Sequence, residues 1–232
     1  MDMRRSLRRA AYGLLFIDPI RFLFCKIRWM LLKGRLRTLD RFADSVGSDA
    51  VRYNLSAFRH NAVFGMGRRM SLLLFPIAAL LKESLDSARV LIVGPRTEDD
   101  IFWARSLGLL RTTGLDLFSY SRLIELGDIH RTEYPAGSFD AVLLGWMISY
   151  SSDPRAVVEE CKRILKPGGY LGIGLESNPA LQGIDPPPAP RKNSLNSPAD
   201  LIALVQEPVA CTNEPHQPVA YDCAVTFKVL KR

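Results

Sequence analysis

A chain of 232 residues with 47% hydrophobic and 24% charged residues is long and apolar enough for one large domain, or one domain and an extension, and excludes wholesale disorder. Its net charge of +7 lies entirely in residues 1–40, where ten Arg and Lys face three Asp, so the neutral remainder offers no basic surface and a nucleic-acid partner is not expected. Four scattered cysteines without a Cys-x-x-Cys pair, and only three histidines, assemble no zinc set: no metal is expected, and a reducing, cytoplasmic setting is.

Arg4 to Arg9 followed by Ala10–Ile17 has the outline of a secretory signal, but Asp18-Pro19 breaks the short core and no cleavage site follows. Ile20 to Arg37 puts Ile20, Phe24, Ile27 and Leu31 at helical spacing. Phe22, Leu23, Trp29, Met30 and Leu32 widen the stripe, and cations fill much of the remainder. Such a composition belongs to interfacial helices, which an anionic bilayer attracts by about 1 kcal/mol per nearby cation. A helix packed on the main domain, its cations solvated, satisfies the same pattern. Residues 41–69 read as helical with a break at Gly65 and Gly67, and Leu72–Ser84 as a helix bent at Pro76. No apolar run approaches the roughly 18 residues of a membrane span.

From Arg89 the pattern alternates between strand and helix. Arg89–Val93 is a wholly apolar β run after its first residue, as in a buried parallel strand. Thr97 is a candidate N-cap, with Glu98, Asp99 and Asp100 in a first turn that favours acids and Ile101, Phe102, Ala104 and Leu107 facing inward; Gly108 ends the helix. Strands are expected at Thr113–Leu117, Leu123–Leu126, Phe139–Leu144 and Tyr170–Leu175, with a helix from Asp153-Pro154 to Leu165 stopped by Lys166-Pro167-Gly168-Gly169. Ser177–Pro198 holds six prolines and reads as a loop of functional length. A short helix at Ala199–Val205 and strands at Val209–Thr212 and Ala224–Leu230 close the chain.

Three blocks of this half resemble the class I S-adenosylmethionine-dependent methyltransferases. Gly127–Asp140 (GDIHRTEYPAGSFD) is similar, without a gap, to the family's G-D-x-x-x-L-P-F-P-D-x-S-F-D segment. The following AVLLGWMISYSSDP is similar to its V-V-x-x-x-x-V-L-x-H-x-x-D-P stretch, and Arg163–Gly169 to its R-x-L-K-P-G-G element. The resemblance implies an α/β, three-layer, Rossmann-like sheet, mostly parallel with an antiparallel last strand. It assigns residues 70–232 to that domain and leaves residues 1–69 as a basic helical extension beside the cleft. It further implies S-adenosylmethionine as cofactor, bound at the strand tips by Gly94, Pro95, Arg96, Asp116, Leu117, Asp128, Ile129, Gly145 and Trp146. There Asp116 would take the ribose hydroxyls and Asp128 with Ile129 the adenine edge.

Two departures from the family pattern carry expectations of their own. The family's G-x-G-x-G motif is here Gly94-Pro95-Arg96-Thr97-Glu98, with one glycine kept. Arg96 is expected on the cosubstrate carboxylate, and the three acids after it near the ammonium. Asp116 and Asp128 lie only twelve residues apart, too close for a crossover helix, so that helix is expected to shrink to a turn at Ser119–Arg122 and the sheet edge to erode. His130, a candidate base or a loop residue bonded to backbone, and Tyr150 are the catalytic candidates. The expected function is methyl transfer to a small-molecule, lipid-linked or glycan-linked acceptor, with Ser177–Pro198 as acceptor lid. The alternative is a non-catalytic binding or scaffold protein on the same fold, peripheral to an anionic membrane through residues 20–37.

Overall fold

The computed structural model describes residues 9–39, 69–178, 191–214 and 221–230. The helix expected over residues 41–69 lies outside the described residues, apart from a turn at its end, as does most of the proline-rich loop.

Seven strands form one sheet: β2 (Arg89–Val93), β3 (Arg111–Asp116), β5 (Ile124–Leu126), β6 (Phe139–Leu144), β7 (Leu165–Ser177), β8 (Val209–Asn213) and β9 (Tyr221–Lys228). Their spatial order is β5-β3-β2-β6-β7-β9-β8. The first five are mutually parallel, and β9 runs antiparallel to both β7 and β8. The unbroken apolar run of β2 is explained by burial on both faces. Val90 and Ile92 pack on one side with Leu73, Leu74 and Ile77 of α2 (Ser71–Leu80) and Ile101 and Ala104 of α3 (Asp99–Ser106). Leu91 and Val93 pack on the other with Val157, Cys161 and Ile164 of α4 (Pro154–Ile164) and Leu201 and Val205 of α5 (Pro198–Val205). The three-layer α/β architecture is therefore as expected.

Element boundaries shift where local chemistry competes. Lys166-Pro167-Gly168-Gly169 does not separate α4 from a strand but lies inside β7, as an irregularity in the β6 register with Gly168 at φ +78°. The N-cap position of α3 belongs to Glu98, while the Thr97 hydroxyl accepts the Asp99 N–H. Between β3 and β5 there is no helix, only the two-residue β4 (Phe118–Ser119) and a tight turn, as the short spacing requires. β5 is three residues long and forms the sheet edge.

The N-terminal segment meets the domain at this eroded end. Helix α1 (Asp18–Leu32) packs across the outer side of α3, where Phe102 faces α1 rather than the sheet and meets Phe24 edge-on at 5.0 Å. Two of its cations are not solvated. Arg21, 2% exposed, lies over the Trp103 ring and pairs with Asp99 at 3.0 Å and Asp18 at 2.7 Å. Arg28 holds both carboxylate oxygens of Glu98, at 2.6 and 2.7 Å, and Glu98 is fully buried. The Ser121 hydroxyl also donates to Glu98, and the Glu98 N–H donates to the Tyr120 hydroxyl. Past α1, the two-residue β1 (Arg37–Thr38) pairs antiparallel with β4, and the Leu39 N–H reaches Leu117 O at 2.9 Å.

Because Glu98 has no access to water, Arg28→Ala leaves a buried carboxylate without its counter-ion. Urea denaturation is expected to show a loss of about 3 kcal/mol, largely recovered in Arg28→Leu combined with Glu98→Gln.

Candidate functional site

A partly enclosed hollow of about 60 Å³ opens beyond the carboxyl ends of β2, β3 and β6. This is where an open parallel sheet reverses its winding: β3 lies to one side of β2 and β6 to the other, so the loops leaving their tips diverge and leave a crevice. Gly94, Arg96, Asp116, Leu117, Asp128, Ile129, Gly145 and Trp146 all line it. Pro95 does not: its ring turns onto β3, into the space left by the missing side chain of Gly114.

The loop after β2 keeps a left-handed path without the glycines that usually permit it. Gly94 has φ +70°, Arg96 φ +55°. Trp146, just beyond β6, also has φ +55°. Of the three described non-glycine residues with positive φ, two therefore stand on the wall of this one cavity. Each such residue costs on the order of 1–3 kcal/mol and persists only where its surroundings impose it, which makes the pair a functional marker.

Asp116 ends β3 with its carboxylate wedged into that loop. One oxygen accepts the Arg96 N–H at 3.1 Å and the other the Leu117 N–H at 2.7 Å. Burial pushes its pKa up to about 6, and these backbone N–H groups hold it from rising further. The Phe118 N–H steadies the carboxylate as well, and three donors still leave room for a further one.

Asp128 is held by its own loop. The same oxygen accepts the His130 N–H at 3.0 Å and meets His130 Nδ1 at 2.6 Å, while His130 Nε2 lies 2.7 Å from Ser151 Oγ. In a neutral imidazole, Nδ1–H donates to the carboxylate and Nε2 accepts from the Ser151 hydroxyl. That hydroxyl in turn accepts the Asp153 N–H. Both ring nitrogens of His130 are thus engaged, and the residue serves to orient Asp128. Tyr150 and Ser151 stand on the cavity wall beside it.

The acids at the start of α3 divide their labour. Glu98 and Asp99 are taken by Arg28 and Arg21, so the expectation that all three acids face a ligand is corrected. Asp100 makes no ion pair among the described residues. Burial, then the adjacent Asp99 charge, pushes its pKa up to about 7, against Arg21, Arg69 and Arg96.

Trp146 carries a buried indole N–H without a partner among the described residues. Arg69 covers its ring at 5.2 Å, and its other side rests on Gly174 of β7, where a Cβ would fall 2.7 Å from the indole. The proline-rich loop is clasped at its base, where the Asn196 side chain bonds both backbone groups of Asn178. Its described end docks on the Tyr150 loop: Asn193 donates to Ile148 O and Ser151 O.

Residues 94–173 match a family described as a methyltransferase domain. Among solved structures, a SAM-dependent methyltransferase from Aquifex aeolicus is 16% identical, with 75% of this chain and 98% of that one covered and a TM-score of 0.51. The 1,6-didemethyltoxoflavin-N1-methyltransferase of Burkholderia thailandensis, solved with its substrate and S-adenosylhomocysteine, is 13% identical, with 84% and 95% covered and a TM-score of 0.56. The [4+2]-cyclase SpnF is 17% identical, with 76% and 77% covered and a TM-score of 0.53. At these identities the likeness is one of fold. An uncharacterized 37.1 kDa protein in transposon TN4556 of Streptomyces fradiae is 37% identical over 51 residues, 22% of this chain; the match spans only 15% of that protein's length.

Gly174→Ala drives a methyl group into the Trp146 ring. Overpacking of this kind is expected to cost about 1–3 kcal/mol in urea denaturation. The near-ultraviolet circular dichroism should change as the indole shifts toward the cavity.

Proposed function

With a methyltransferase domain matched over residues 94–173 and the class I fold beneath it, we propose that this chain binds S-adenosylmethionine in the strand-tip cavity and transfers its methyl group to a small-molecule, lipid-linked or glycan-linked acceptor. One observation carries the reading: Asp116 and Asp128, at the tips of neighbouring strands, stand on the wall of the same open hollow, each steadied by backbone N–H groups. When bound, S-adenosylmethionine supplies an electrophilic methyl group on a sulfonium.

The remaining work falls to the protein. Asp116 accepts from the ribose hydroxyls. Asp128, fixed by His130, and the Ile129 backbone read the adenine edge. Gly94 lets the chain approach the methionine end closely, and Gly145 and Trp146 lie beside it. Arg96 pairs with the carboxylate. In-line displacement from a sulfonium is helped chiefly by positioning and the exclusion of water. We assign positioning of the acceptor to the Tyr150 hydroxyl and its cover to the proline-rich loop, in an enzyme of the cytoplasm peripheral to a membrane.

The missing glycines at Arg96 and Glu98 favour a second reading, a binding or scaffold protein that retains the fold without the transfer. The likeness to a [4+2]-cyclase is a reminder that chemistry is not set by the fold.

Calorimetry with S-adenosylmethionine and S-adenosylhomocysteine distinguishes the two. Micromolar affinity is expected; millimolar or no binding supports the scaffold. Hydroxyl donors favour the ionised Asp116, whose pKa lies near 6. Affinity is therefore expected to fall as pH drops through that value, by up to about tenfold per unit below it, and to level off above. Asp116→Asn should weaken binding at least about tenfold and remove this pH dependence.

A further inference from the structure

The outer face of α1 and the groove beside it fit neither the core nor the cavity already described. Phe16, Ile20, Leu23, Ile27, Met30 and Leu31 recur at helical spacing on one face and all stay exposed, Leu23 at 58% and Leu31 at 77%. Helices of globular domains turn such a stripe inward; here the inward side of α1 is a different one, made by Arg21, Phe24, Cys25, Arg28, Trp29 and Leu32. Between α1, the chain that follows it and the β4–β5 turn lies a groove of about 1060 Å³. Five arginines and no acid line it among the described residues. Arg28 and Arg105 are engaged with Glu98 and with Tyr12 and Thr112. Arg35, Arg37 and Arg122 are exposed and make no ion pair among the described residues. Leu31 and Leu36 form part of the groove's apolar wall.

We propose that this face docks on an anionic lipid bilayer, with α1 lying in the plane of the interface and the arginine groove taking a lipid phosphate. Charge complementarity selects the occupant. Exposed apolar residues beside unpaired cations, on a chain whose whole positive excess lies in the same segment, match the apolar depth and negative surface of such a membrane. No described helix is long and apolar enough to cross one, and α1, at 15 residues, lies flat instead. The buried pairs of Arg21 and Arg28 make α1 a rigid part of the domain, so docking holds the whole protein in one orientation. The inference does not depend on cosubstrate binding.

The test is co-sedimentation of the full chain with vesicles of phosphatidylglycerol and phosphatidylcholine, against vesicles of phosphatidylcholine alone. Partitioning is expected to be at least about tenfold stronger on the anionic vesicles and to weaken with salt. Leu23→Glu with Leu31→Glu, both at exposed positions, should abolish it without lowering thermal stability. Arg35→Glu, Arg37→Glu and Arg122→Glu together should remove the preference for anionic lipid. No binding, equal binding to both vesicles, or binding untouched by the leucine changes overturns the proposal. So does a dimer in analytical ultracentrifugation that the leucine changes convert to monomer, since the face would then belong to a second copy of the chain.

Discussion

The carboxylate of Glu98 is the point on which this structure turns. It occupies a position where the family pattern has glycine, and it is fully buried. A buried negative charge is tolerated only with a counter-ion and satisfied lone pairs, and the chain supplies both from distant places: Arg28 from the N-terminal helix and the Ser121 hydroxyl from the β4–β5 turn. Two segments are thereby tied to the start of α3. The short connection between β3 and β5 holds no helix and instead pairs β4 with β1, in a two-stranded ladder of its own. Substitution at the glycine position, the short connection and the basic N-terminal segment are thus facets of one packing solution.

Much of this was legible in the sequence, and what was hidden shares a cause. β2 and β6 could be bounded to the residue because their inner runs, Val90–Val93 and Ala141–Leu144, are apolar on both faces. The missing helix followed from chain length between Asp116 and Asp128. Eight of the nine residues assigned to the cosubstrate line the cavity, since motif order fixes which loops leave the strand tips. Pro95 missed because its direction depends on the neighbouring Gly114. Partners far apart in sequence were the least readable. Nothing in residues 18–32 announces that Arg21 and Arg28 would meet Glu98 and Asp99, so their cations read as solvated. Phe102 was placed against the sheet because α3 was considered without α1 over it. The engagement of both His130 nitrogens needed the position of Ser151, twenty-one residues on.

The cavity also shows how a motif can erode while its geometry survives. Glycine is favoured in a phosphate or nucleoside loop because it reaches positive φ at little cost. Arg96 takes the same φ against its preference, held by the bond from its N–H to Asp116. The carboxylate on the cavity wall is also the one that holds the loop in shape. Trp146 repeats the theme on the opposite side of β2, its indole fitted into the space above Gly174.

The β1–β4 ladder has a consequence for how the two ends of the molecule communicate. Leu117 and Phe118 belong at once to the wall of the hollow and to the residues gripped by the strand that emerges from the N-terminal helix. Any molecule that fills the hollow and prefers one setting of that wall must pull on the arm, and anything that fixes the arm must return the preference in equal measure. Thermodynamic reciprocity requires the two affinities to change by the same factor, whichever event comes first.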